Sequence, residues 1–256
     1  AQPFRLMAHN GELNTDKKNR LNEAAVAKAE DKLIFRPKGQ SDSCRLDQTL
    51  NSRVYEDNVG LVAAVVAMMP PAWENDTRLS PEVRAMLEYF SLFEEKNDGP
   101  AALIFGDGNI IGARLDRLGL RPLRTIETEK YFAVMSEAGQ VYFPSNEVLS
   151  RGRVEAGGMI YFNHSEGKLY NTNDSLNKLA AEKDYISLVE KSQVGIDSIT
   201  IPPTDPAKAA LRYKGDLSNP ARYVAYNHNQ ETFKFLMDPM LHRGVEKVSA
   251  MGYGNA

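Results

Sequence analysis

Ala101-Ala-Leu-Ile-Phe-Gly-Asp-Gly-Asn-Ile-Ile-Gly-Ala-Arg-Leu115 sets two short apolar runs on either side of Asp107-Gly108-Asn109. The runs are too short for helices, and Asp-Gly between them is hairpin chemistry rather than a phosphate loop. Further short runs follow at 120–126, 131–136 and 141–143, and then at 159–163 and 168–170 around Glu166-Gly167. Each is set off by turn residues, which predicts an antiparallel meander closed by a last hairpin.

Upstream of Ala101 the apolar period is near 3.6. Asn14 and Thr15 can cap a helix over about 16–33, with a modestly apolar face of Leu21, Ala25, Ala29 and Leu33 that suits the surface. Ser41-Asp42-Ser43 offers three alternative caps for a helix running through Leu46, Leu50 and Val54. The stretch from Val59 to Met69 is stopped by Pro70-Pro71 and is too short to span a bilayer, so it reads as a buried helix. Ser80-Pro81-Glu82 supplies an N-cap, a proline at the first helical position and an early acid, opening a helix to about Glu95. Helices followed by a clustered sheet predict an α+β fold with helices layered on an antiparallel sheet. Beyond Tyr170 polar residues dominate, with a helix near 176–189 and the loop-like Ile201-Pro-Pro-Thr-Asp-Pro206. A last helix, around 231–243, ends at Gly244.

Composition narrows the function. A chain of 256 residues with 42% hydrophobic content can bury one core, or one and part of a second. Its 31 basic and 34 acidic residues form no block of either sign, so neither nucleic acid nor an anionic membrane is an expected partner. One cysteine excludes an internal disulfide framework, and no Cys/His cluster has zinc spacing. The first residues lack the features of a signal peptide, so the expected setting is the cytoplasm.

The chemistry is concentrated in Phe4-Arg-Leu-Met-Ala-His-Asn-Gly-Glu-Leu-Asn-Thr15. Read as a loop, the Asn10-Gly11 pair offers a closely approaching backbone N–H beside a side-chain amide, the two donors of an oxyanion hole, which implies acyl transfer. No nucleophile accompanies it: Cys44 is internal and reads as a packed residue, and residue 1 is Ala.

A second constellation gives that loop a context. Asp116-Arg-Leu-Gly119-Leu-Arg121-Pro-Leu123 resembles the sheet turn of class II glutamine amidotransferases, the N-terminal-nucleophile type. Ser136-Glu137 is similar to that family's Ala-Ser-Glu element, and Ser41-Asp42 to its Ser-Asp element. The stretches Gln2–Thr15, Asp98–Ala102 and Leu115–Pro122, with Asp238-Pro-Met240 and Ser249–Asn255 in the tail, resemble the amidotransferase domain of glutamate synthase large subunits and the entry to their central domain.

That resemblance implies glutamine hydrolysis by an N-terminal cysteine, with ammonia passed to a flavin site. Asn10 and Gly11 become the oxyanion hole and Asp42 the anchor for the substrate ammonium. His9 and Glu12, flanking the pair, fall with Asp42 in the substrate-binding region; their structural alternatives are packing beneath the loop for His9 and a supporting hydrogen bond for Glu12. Asp116, Arg117, Gly119 and Arg121 support the sheet turn. The family's nucleophile and its carboxylate-gripping arginine lie upstream of anything present, so the chain is expected to be a partial N-terminal-nucleophile hydrolase-like sandwich without its first strands, inactive alone. Its expected divisions are 1–170 for the amidotransferase portion, 171–222 for a connector and 223–256 for the start of the central domain. FMN and an iron–sulfur cluster are implied for the parent polypeptide only. Glutamine and the rest of that polypeptide are the implied partners, an exposed sheet edge gives a motive for self-association, and a non-catalytic binding or interaction module is the alternative.

Overall fold

The computed structural model describes residues 4–33, 39–199 and 228–245. The chain divides into two compact units, 1–193 and 194–256.

The first unit opens with strand β1 (Met7–Gly11) and four helices: α1 (Asp16–Ala29), α2 (Asp42–Tyr55), α3 (Leu61–Met68) and α4 (Pro81–Ser91). Ser41 caps α2 by accepting from the Cys44 amide, and Ser80 caps α4 by accepting from the Val83 amide. All eight residues of α3 are buried. Its carboxyl end is closed by polar partners: the Met68 carbonyl accepts from the backbone and side-chain amides of Asn97, and the Met69 carbonyl accepts from Nε of the fully buried Arg114 at 2.6 Å. Burial of each Leu or Val here contributes roughly 1.5–3 kcal/mol.

Seven strands follow: β2 (Ala101–Gly106), β3 (Ile110–Leu115), β4 (Arg124–Thr128), β5 (Phe132–Met135), β6 (Val148–Arg153), β7 (Met159–Asn163) and β8 (Lys168–Tyr170). They form two antiparallel sheets rather than one meander: β1-β2-β3-β7-β8 and β5-β4-β6. On the larger sheet, Leu103, Phe105, Met159 and Tyr161 face the helices, and Ala102, Ala113 and Leu115 on the other side join Leu123 and Val154 in a smaller core. The fold is α+β, as the change of period predicts.

Three further expectations change. The run 141–143 is not a strand, whereas β6 is one; β6 is an exposed edge strand rich in Arg and Ser, so it shows no apolar alternation. The face of α1 chosen by periodicity is exposed, and the helix instead turns Asn19, Glu23 and Ala27 inward. The connector expected from residue 171 begins with two helices, α5 (Thr172–Ala180) and α6 (Tyr185–Ser192), that bury Leu176, Leu179, Tyr185 and Val189 in the main core. Packing therefore carries the first unit to Gln193.

In the second unit a π-helical turn (Thr232–Met237) runs into α7 (Asp238–Arg243), which Gly244 ends in a left-handed conformation. The Pro-rich loop 201–206 and the Gly-rich tail 249–255 lie outside the described residues. No described helix is long and apolar enough to cross a membrane.

Candidate active site

Asn10 and Gly11 lie in an edge strand, not in the loop that Asn-Gly suggests: they pair with Ala102 and Ala101 of β2. The bonds from Gly106 N to Leu6 O (2.8 Å) and from Glu12 N to Pro100 O (2.9 Å) bracket that ladder. Bonded pairs alternate in antiparallel sheets, so the amides of Met7, His9, Gly11 and Leu13 point away from β2. Two of these four are taken by α2: Met7 donates to Asp47 Oδ1 at 3.2 Å, and Leu13 to Asp42 Oδ2 at 2.8 Å. Among the described residues the amides of His9 and Gly11 have no partner, so two adjacent outward donors remain at the strand edge. Glycine at 11 is required by packing, because a Cβ there would sit 1.9 Å from the Pro100 carbonyl oxygen.

Asp42 lies at the first turn of α2. Its Oδ1 accepts from the Ser43 amide (2.7 Å) and hydroxyl (3.2 Å) and its Oδ2 from Leu13, so three of about four acceptor positions are filled and one is left. Burial pushes this carboxyl up, but the amides of Leu13 and Ser43 outweigh it and hold the group below its usual value. His9 Nδ1 lies 2.8 Å from Ser43 Oγ, and its Nε2 is buried without a partner among the described residues. Alternation places His9 on the helix-facing side of β1 and Asn10, exposed, on the opposite side of the same edge.

His9 is pushed below its usual 6.5, first by burial and then by the charges of Arg121 and Arg45, with Asp42 opposing. The sign follows: an unfolded chain binds this proton more readily, so stability is fully present above pH 6.5 and is lost as pH falls through the lower folded value. Urea unfolding from pH 7.5 downward should show wild type losing more stability below pH 6.5 than His9→Gln; parallel curves would contradict the placement.

Asp116, buried at the end of β3, accepts from the amides of Ala101, Leu118, Leu120 and Arg121, and so fixes the turn by which the chain leaves the first sheet for the second. Gly119 takes φ +67° there, with Ala156 packed against it. Arg117 pairs with Asp98 at 2.8 Å, beside the segment whose carbonyl accepts from the Asn14 amide. Arg121 is half-buried, its Nε has no partner among the described residues, and its charge reaches His9. Glu12 is exposed, and among the described residues its carboxylate forms no supporting hydrogen bond.

Three residues were missed. Ser43 links His9 to Asp42, and its only sequence signal was membership of Ser41-Asp42-Ser43. Asp47 binds the amides of Arg5, Leu6 and Met7. Arg45, 2% exposed, joins α2 to Asp16, Glu23 and Asn97 and thereby sets α2 beside β1. A buried arginine with acids on another helix leaves no local pattern to read.

The sequence pattern of glutamine amidotransferases class-II matches residues 1–188. The chain belongs to the class II glutamine amidotransferases. Within that family this amidotransferase chain is similar over 98% of its length to glutamate synthases. It is 30% identical to glutamate synthase [NADH] of Schizosaccharomyces pombe, 32% to ferredoxin-dependent glutamate synthase 2 of Synechocystis sp. and 32% to the glutamate synthase [NADPH] large chain of Azospirillum brasilense. It spans only 13%, 17% and 17% of those proteins.

Proposed function

We propose that the chain is part of the glutaminase domain of a glutamate synthase, in which the β1 edge receives the side-chain amide of glutamine. In that reaction a thiolate adds to the amide carbon, the carbonyl oxygen becomes an oxyanion, ammonia leaves as the carbonyl re-forms, and water hydrolyses the thioester to glutamate. The observation that carries this reading is the outward Gly11 amide, unpartnered among the described residues, with the exposed Asn10 side chain beside it on the same edge. An oxygen just beyond the edge would meet both donors, and the remaining acceptor position of Asp42 suits the substrate ammonium. His9, Glu12 and Arg121 line or flank the approach, and Asp116, Arg117 and Gly119 hold its frame.

The nucleophile is the family's N-terminal cysteine rather than Cys44, which is half-buried on α2 with Gln40 Nε2 at 3.8 Å from its sulfur. An iron–sulfur cluster is held by several cysteine thiolates, and this chain has one cysteine, so such a cluster and the flavin belong to other parts of a parent enzyme in this reading. Any second strand pairing along β1 would compete with substrate for the Gly11 amide.

The test supplies the family's upstream cysteine-bearing segment in trans and measures ammonia release from glutamine. Asn10→Ala is expected to lower the rate on the order of a hundredfold or more. A rate unchanged by Asn10→Ala would sink the assignment, and binding of glutamine without any ammonia release is what a non-catalytic module predicts.

A further inference from the structure

We propose that Ser43 locks the His9 imidazole as its Nδ1–H tautomer, making His9 a positioning residue that ties the amide donors of β1 to the Asp42 carboxylate; the idea rests on the reading of this edge as an amidotransferase site. Ser43 Oγ stands between His9 Nδ1 at 2.8 Å and Asp42 Oδ1 at 3.2 Å. A carboxylate can only accept, so the serine hydrogen goes to Asp42 and its oxygen is left to accept, a demand that only a protonated Nδ1 meets. The other ring nitrogen gives the same answer. Nε2 is buried without a partner among the described residues, and a buried N–H without an acceptor is costlier than a bare nitrogen.

The result is a directed chain, Nδ1–H to Oγ–H to Oδ1, in which each bond polarises the next. It runs from the strand bearing Asn10 and Gly11 to the first turn of α2. Groups facing the ring from other elements are Asp42, Arg45 and Arg121. Burial and the two arginine charges, opposed by Asp42, disfavour a second proton on the ring and so leave Nε2 bare and Nδ1 the protonated nitrogen at neutral pH. The His9 side chain and Ser43 lie on the helix-facing side of β1, opposite the Asn10 side chain; their effect falls on where Asp42 points. Loss of the relay should therefore weaken the hold on the amino acid while sparing the chemical step, the opposite of Asn10.

The test uses the full chain labelled with ¹⁵N-histidine, His9 being assigned with His9→Gln. Long-range ¹H–¹⁵N correlation at pH 7.5 is expected to show His9 as Nδ1–H in wild type, as Nε2–H in Ser43→Ala, and as Nδ1–H again in Ser43→Thr. Wild-type His9 found as Nε2–H or doubly protonated overturns the proposal, as does Nδ1–H persisting in Ser43→Ala; should that variant fail to fold, wild type and Ser43→Thr still decide. In the complemented ammonia assay Ser43→Ala should raise KM about tenfold with kcat changed less than about twofold, and an equal loss in both overturns the positioning role. Absence of ammonia release from wild type would count against the amidotransferase reading and leave the tautomer result standing.

Discussion

Asp116→Ala is expected to lower the unfolding free energy of the first unit by about 4 kcal/mol, because it strips a buried charged acceptor from four backbone amides rather than removing a surface charge. The carboxylate, 5% exposed, receives the amides of Ala101, Leu118, Leu120 and Arg121. Bonds to a charged acceptor contribute about 1.5–3 kcal/mol each, and their sum is reduced here because the turn relaxes as a whole. Asp116→Asn should be nearly as damaging, since its NH₂ would point a donor at donors. Urea denaturation of both variants checks the expectation; a loss below about 1 kcal/mol in each would mean that the turn is held by other contacts.

Gly11→Ala is the second large effect, expected at about 3 kcal/mol, with ammonia release abolished in the assay complemented by the upstream segment. The added methyl meets backbone, at 1.9 Å from the Pro100 oxygen and 2.8 Å from its carbon, so no rotamer can yield. Either β1 leaves β2, or the segment at Pro100 moves, and in both cases the outward amide loses its aim. The control is Gly39→Ala, at a glycine with open space around it, where φ of +75° costs only about 1 kcal/mol. Thermal melts should separate the two by several degrees; equal shifts would argue that the close approach at Gly11 is not maintained in solution.

What the sequence disclosed follows from which forces are local. Ser80-Pro81-Glu82 announces α4 because caps act within one turn, and Asp107-Gly108 announces the β2–β3 hairpin because the turn itself needs those residues. The wholly apolar α3 was legible because a helix buried on every side needs no alternation. The Asn-Gly pair misled: its glycine answers to the Pro100 carbonyl, which lies nearly ninety residues away in the chain. The inward face of α1 was hidden because Glu23 is buried against Arg45 and not against apolar residues. At the candidate site Asn10 and Gly11 were visible as a donor pair and Asp42 through resemblance, whereas the Ser43 contact with His9 and the Asp47 contacts with Arg5, Leu6 and Met7 exist only once folding brings α2 to β1.

The strand that carries the proposed donors is held by residues that come well after it in the chain. Asp47 follows Met7 by forty residues, and the pairing of Met7 with Phe105 waits for nearly a hundred. Closing so long a loop is slow, so β1 docks only after α2 and β2 have both been made. Until then its ladder groups are open to mispairing, and a nascent-chain chaperone that shields this stretch would raise the yield of folded protein more than one acting on the helices behind it.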